Sequence, residues 1–206
     1  MAHSKISICN LSLAMLGAAP IRDFAEDNKR ARMCDVFFDA CRDLILSKFD
    51  WPFAHRYKKL QQLSSENVAI PEGEYIYQLP EDCLVARDIQ ERGSDVIWCV
   101  MGDHIHCKIS ENVFLHYTAQ ETNPSMFSDT FVNILFLLLA VRIGPPISQD
   151  KALVEAINKQ YVYAQADSWE TDANIGTLDR GYDNTPENDT FVSPPGVEMD
   201  PFLRDK

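Results

Sequence analysis

The chain has 206 residues, 46% of them apolar, which suits one globular domain of ordinary size or a core with one sizeable insertion. Aspartate and glutamate number 31 against 19 lysines and arginines, so the net charge is −12 at pH 7 and the field of the whole molecule repels phosphate, which disfavours a tight nucleic-acid binder. Six cysteines (Cys9, Cys34, Cys41, Cys83, Cys99, Cys107) show no C-x-x-C spacing, the pattern of buried thiols in a reducing compartment rather than of a disulfide framework.

In chain order, Ile6, Cys9, Leu13 and Leu16 recur at helical spacing, and Ser7, Asn10 and Ser12 break the apolar run. This predicts a core helix over about 4–17 rather than a signal peptide, stopped by Gly17 and Pro20. A second helix is expected over about 25–49, with Asp23 and Glu26 as a capping box and Ala31, Cys34, Phe38, Cys41 and Ile45 as its apolar stripe. Its outward Asp39 and Asp43 lie at i, i+4, a spacing that usually means solvent rather than acid–base work.

Trp51-Pro52-Phe53 follows that helix. Pro52 bars helix continuation and drives Trp51 towards an extended conformation, so the chain must turn here. Trp51 and Phe53 together can cover roughly 300–500 Å² of apolar surface, the work of a plug at a helix–sheet junction. A ligand-site floor would need convergent polar groups beside them.

From His55 to Thr118 the period shortens towards two, with strands expected near 55–63, 74–79, 84–91, 95–100, 104–108 and 112–118. Helical signals resume at about 126–144, stop at Gly144-Pro145-Pro146 and run again over about 149–172. The most apolar stretch, Phe131 to Ile143, holds Asn133 and Arg142 and is shorter than the roughly twenty residues a bilayer span needs, so no membrane is expected. The expectation is therefore an α+β fold: a four-helix bundle (1–54 and 119–172), an antiparallel β module (55–118) inserted between helices two and three, and an extended C-terminal tail (173–206). That tail is rich in acids and prolines but dotted with Tyr182, Phe191, Val197 and Phe202, and fully stretched it reaches at most roughly 110 Å.

Chemistry-bearing motifs are sparse. G-x-G-x-x-G, G-x-x-x-x-G-K, G-x-S-x-G and H-E-x-x-H are all missing, so neither a cofactor nor an enzymatic activity is expected. His104-Ile105-His106-Cys107 puts two histidines on one strand face, with His116 on an adjoining strand. Two ligands are too few for a metal assignment, and ordinary hairpin histidines are expected. His55-Arg56-Tyr57-Lys58-Lys59 interleaves bases with an aromatic ring, yet the surrounding negative charge favours a solvated strand face or a patch that meets an acidic neighbour.

Five phrases in order, "LAMLGAAPI" (13–21), "RDLILSKFDWPFAHRYKKL" (42–60), "YIYQLPEDCL" (75–84), "MFSDTFVNILFLLLAVRIGPPI" (126–147) and "YVYAQADSWETDA" (161–173), resemble the head-to-tail adaptors of short-tailed bacteriophages, the tail tubular protein A family. The resemblance implies a helical fold with an inserted β domain and no catalysis. It also implies a structural virion protein, a ring commonly of twelve copies, beneath the portal and above the tail nozzle and tail fibres. Assembly would take place in the host cytoplasm, and DNA would pass through the channel unbound. By that resemblance the C-terminal segment embraces the portal, which points to Tyr182, Phe191 and Phe202. A tail-associated glycan hydrolase, with two carboxylates in a cleft, and a neck protein of a long-tailed phage are the competing expectations.

Overall fold

The computed structural model describes residues 3–63, 74–90, 97–110, 112–148 and 150–179, with side chains omitted at Gln90 and from Ser168 onward. Helix α1 (Lys5–Met15) opens on a reciprocal capping box in which Ser4 Oγ accepts from Ser7 N and Ser7 Oγ accepts from Ser4 N. Helix α2 (Lys29–Lys48) starts at Asn28, whose side chain accepts from Ala31 N at 2.8 Å. This start is later than the sequence suggests. The Glu26 carboxylate instead accepts from Arg22 N and Asp23 N, so the Asp23/Glu26 signal closes a tight turn ahead of the helix. The stripe Ala31, Cys34, Phe38, Cys41 and Ile45 is buried throughout.

Six strands follow: β1 (His55–Lys59), β2 (Tyr75–Gln78), β3 (Cys83–Gln90), β4 (Trp98–Met101), β5 (His104–Cys107) and β6 (Phe114–Ala119). They form two antiparallel three-stranded sheets, ordered β1-β6-β3 and β2-β5-β4. Helix α3 (Asp129–Ile147) is capped by Ser128, and α4 (Lys151–Asp179) completes the described chain.

The expectation of a four-helix bundle with an inserted β module and an extended tail is corrected on three points. First, α3 carries Phe131, Val132, Ile134, Leu135, Leu137, Leu138, Leu139, Ala140 and Ile143 around its whole circumference, and all are buried. A helix apolar on every side belongs at the centre, so α1, α2 and α4 each pack on α3, while α1 and α2 touch each other only slightly. Second, the strands split into two sheets and do not stand apart from the helices as a separate insert. Both sheets contribute to a second core (Tyr77, Ile105 and Cys107 with Ile89, Leu115 and Tyr117), and β3 and β6 also pack against α2, with Leu84 joining the helical core. Third, α4 runs past Asp172 to Asp179, and Tyr182, Phe191 and Phe202 lie outside the described residues.

Two further details depart from local sequence signals. Pro145 and Pro146 sit inside the last turn of α3 rather than beyond its end. There each gives up one helix hydrogen bond, and Ser148 N closes the turn by donating to Gly144 O at 2.7 Å. Asp39 and Asp43 do not simply face solvent: both grip Arg42, which is 5% exposed, at 2.7 and 2.8 Å. Lys5 reaches Asp39 from α1, and Gln120 donates to Asp43. Arg42 is thus a buried cation satisfied by two carboxylates.

Between β3 and β6, the buried Tyr117 hydroxyl donates to Asp82 at 3.1 Å. Burial and then the Asp82 charge push its ionisation from the ordinary 10.0 up to about 12. A folded-state value above the unfolded one is stabilising below pH 10.0, and that stabilisation is lost as pH rises to about 12. Tyr117→Phe is therefore expected to flatten the fall of urea stability across that window, read as the difference from wild type because Cys41 and Cys83, both raised by burial to about 11, titrate there too. Identical slopes in the two proteins would refute the assignment.

Candidate functional site at the helix–sheet junction

Trp51, Pro52 and Phe53 occupy the corner where α2 ends and β1 begins, Pro52–Ala54 forming a single 3-10 turn. Pro52 faces solvent, whereas Trp51 is 1% exposed. The Trp51 indole meets Phe131 edge-on with centroids 5.0 Å apart, touches Phe49 and Phe53 at 5.7 and 5.9 Å, and donates from Nε1 to Ile45 O at 3.1 Å. Phe53 in turn meets Phe127 at a tilt and Phe131 edge-on. This ring cluster fixes the direction in which β1 leaves the helical core.

Polar groups gather on the outer side of the corner. Register places Tyr57 of β1 and Asp88 of β3 on either side of His116 in β6, and His55 lies two residues before Tyr57 on the same strand face. His116 stacks on Tyr57, centroids 4.6 Å apart and planes 10° apart, and meets His55 edge-on at 4.8 Å. Asp50, at the exit of α2, brings Oδ1 to His55 Nε2 as an ion pair, but without hydrogen-bond alignment. One ligand atom from each of Asp50, His55 and His116 falls within 4.8 Å of the others. The Nε2 atoms of both histidines are shut off from solvent and have no hydrogen-bond partner.

Arg87 frames the group from β3. The ladder slips between Ala86 and Asp88, and this irregularity leaves Arg87 without a paired residue on β6. Its guanidinium donates to Thr118 Oγ1 at 2.9 Å and to Phe49 O at 2.8 Å, while Nε stands 3.5 Å from Asp50 Oδ1. A cation set on the last carbonyls of α2 complements the negative end of the helix. Burial, followed by the neighbouring His55 and Arg87 charges, holds His116 below the usual imidazole range, with Asp50 and Asp88 opposing.

The histidines singled out in sequence do not converge. His104 and His106 lie on β5, where their Nδ1 atoms face Asp103 and Glu74 respectively, while His116 belongs to the other sheet. The basic strand is divided as well: Arg56 pairs with Glu121 at 2.8 Å, Lys59 bonds Asn112, and Lys58 is exposed. Asp50 and His55 were missed, although they lie on either side of the aromatic corner in sequence. Their convergence with His116 depends on the β1/β6 register, which no local pattern encodes.

Fold and site together define an α+β protein built on one central helix, with two small antiparallel sheets and an Asp–His–His group where α2 meets the β1-β6-β3 sheet. Neither a family model nor a curated protein matches the sequence.

Proposed function

We propose that the chain is a structural virion protein, an adaptor ring at the head–tail junction that links the portal to the tail nozzle and fibres and lines the DNA exit channel. The ordered run of phrases from "LAMLGAAPI" to "YVYAQADSWETDA" supports this reading. The observation that carries it is a surface suited to self-assembly. Among the described residues strand β4 is an edge of its sheet, where Val100 and Met101 (58% exposed), with Ile97 (80%) just ahead of the strand, present apolar side chains. An exposed apolar edge strand is a template for pairing with another copy. On this reading Tyr182, Phe191 and Phe202 dock on the portal. The charge of −12 per copy keeps passing DNA from adhering and makes ring closure sensitive to salt. Assembly takes place in the host cytoplasm.

Mass photometry of the purified chain with and without purified portal tests the proposal. A portal-dependent ring is expected, and Val100→Lys should lower ring occupancy at least about tenfold by placing an unpaired charge in the apolar pairing edge. A stable monomer indifferent to portal would overturn it.

A further inference from the structure

We propose that Asp50, His55 and His116 form a binding site for a divalent transition-metal ion of the zinc class, clamping the end of α2 to strands β1 and β6. Three observations meet at this point. The three side chains come from separate places in the chain, yet each brings a ligand atom within 4.8 Å of the other two. The Nε2 atoms of His55 and His116 are enclosed without a hydrogen-bond partner. His55 Nε2 already faces Asp50 Oδ1 as an ion pair, whereas His116 Nε2 has no hydrogen-bond partner among the described residues; an enclosed polar atom left unpaired costs about 1–3 kcal/mol, and a metal ion in the same space would satisfy both nitrogens at once. The rings are also held in place: Tyr57 lies flat on His116 at 4.6 Å, and His55 meets His116 edge-on.

The donor set selects the ion. Two imidazoles and one carboxylate suit zinc, cobalt or ferrous iron, whereas calcium and magnesium take oxygen shells. Tetrahedral zinc with bonds of about 2.0–2.1 Å sets its ligands about 3.3 Å apart, so the widest of the present separations must close by about 1.5 Å. Closing it takes a rotation of the exposed Asp50 carboxylate together with movement of the imidazole rings. Three protein ligands leave a fourth position for water or for a group from outside the chain.

Neighbouring charges set the limits on affinity. Arg87, 3.5 Å from Asp50, opposes a cation, but its guanidinium is engaged by Thr118, Ser47 O and Phe49 O. Asp88, opposite His116 in the ladder, supplies negative charge on the far side. His104 and His106 lie in the other sheet and take no part.

Co²⁺ titration of the untagged, chelator-stripped full-length protein, followed by visible absorption, tests the site. Saturable binding at a single site per chain is expected, displaced by Zn²⁺ and accompanied by a rise in Tm. His116→Gln and Asp50→Asn should each weaken Co²⁺ binding by more than about tenfold, while the paired change His104→Gln and His106→Gln leaves it unaltered. Far-UV circular dichroism checks folding, and His55→Gln stands in for any variant that fails to fold. No saturable Co²⁺ signal in the wild type overturns the proposal. So does binding that survives all three ligand substitutions, or binding that disappears with His104 and His106.

Discussion

Trp51→Ala is expected to lower the folding stability by about 3–5 kcal/mol, the range for truncating a large aromatic side chain in a packed core. The loss has two parts. Removing the indole empties a site bounded by Phe49, Phe53 and Phe131, whose edge-on and tilted contacts each contribute about 0.5–1.5 kcal/mol beyond area burial. It also leaves Ile45 O, one of the last carbonyls of α2, without the donor that reaches it at 3.1 Å. Urea unfolding followed by far-UV circular dichroism measures the sum. The midpoint should fall with the slope unchanged, since a cavity alters stability and leaves the area exposed on unfolding nearly constant. Small domains are stable by only about 5–15 kcal/mol, so the alanine variant can fall below the threshold for folding. Trp51→Phe separates the two parts in the main, because it keeps one aromatic ring and removes the donor with a smaller share of the packed volume, and it should cost roughly a third as much. Pro52→Ala, at an exposed position of the same corner, should cost less than about 1 kcal/mol. Equal effects from Trp51→Ala and Pro52→Ala would mean that the corner is a bend in the chain with no packing role.

What the sequence encodes locally, the structure largely keeps. The stripe from Ala31 to Ile45 is one face of α2 because side chains three and four residues apart share a side of a helix, and that geometry needs no knowledge of the partner. Gly102-Asp103 marks the turn of the β4/β5 hairpin because Gly102 adopts a positive φ of 63° that other residues avoid. What a local pattern cannot carry is which surfaces meet. Strand β6 pairs with both β1 and β3, so the split into two sheets follows from contacts between distant segments. The central place of α3 was legible in the continuous apolar run from Phe131 to Ile143, yet equal weight on four helices turned it into a bundle. The site shows the same division: His55 and His116 become neighbours only through the pairing of Tyr57 with His116. The capping signal at Asp23 and Glu26 was real hydrogen-bond chemistry attached to a turn, since a side chain that accepts from nearby backbone N–H groups serves either structure.

Gly144→Val is expected to cost about 2–3 kcal/mol, the upper part of the range for overpacking a filled interior. Sequence spacing reads Gly144 as a helix stop, but it lies within α3 and is buried. A Cβ added there would stand 2.8 Å from Val154 Cγ2 and 3.4 Å from Leu16 Cδ2, so the missing side chain is what lets α4 and the end of α1 approach α3. Gly144→Ala sets two effects against each other: alanine gains about 1 kcal/mol of helix propensity and crowds a valine that must shift. The net should be near zero or slightly destabilising. Valine adds two methyl groups to the same crowded space and has lower helix propensity than alanine, so both effects then act against folding. Val154→Ala in the same chain removes the closest obstruction, and the double variant should recover at least about 1 kcal/mol relative to additivity, as expected for residues in direct contact. Thermal unfolding of the four proteins in this cycle measures the coupling. Strict additivity, or a Gly144→Val variant as stable as wild type, would show that α3 and α4 are free to separate at this point and that the glycine marks only the nearby end of a helix.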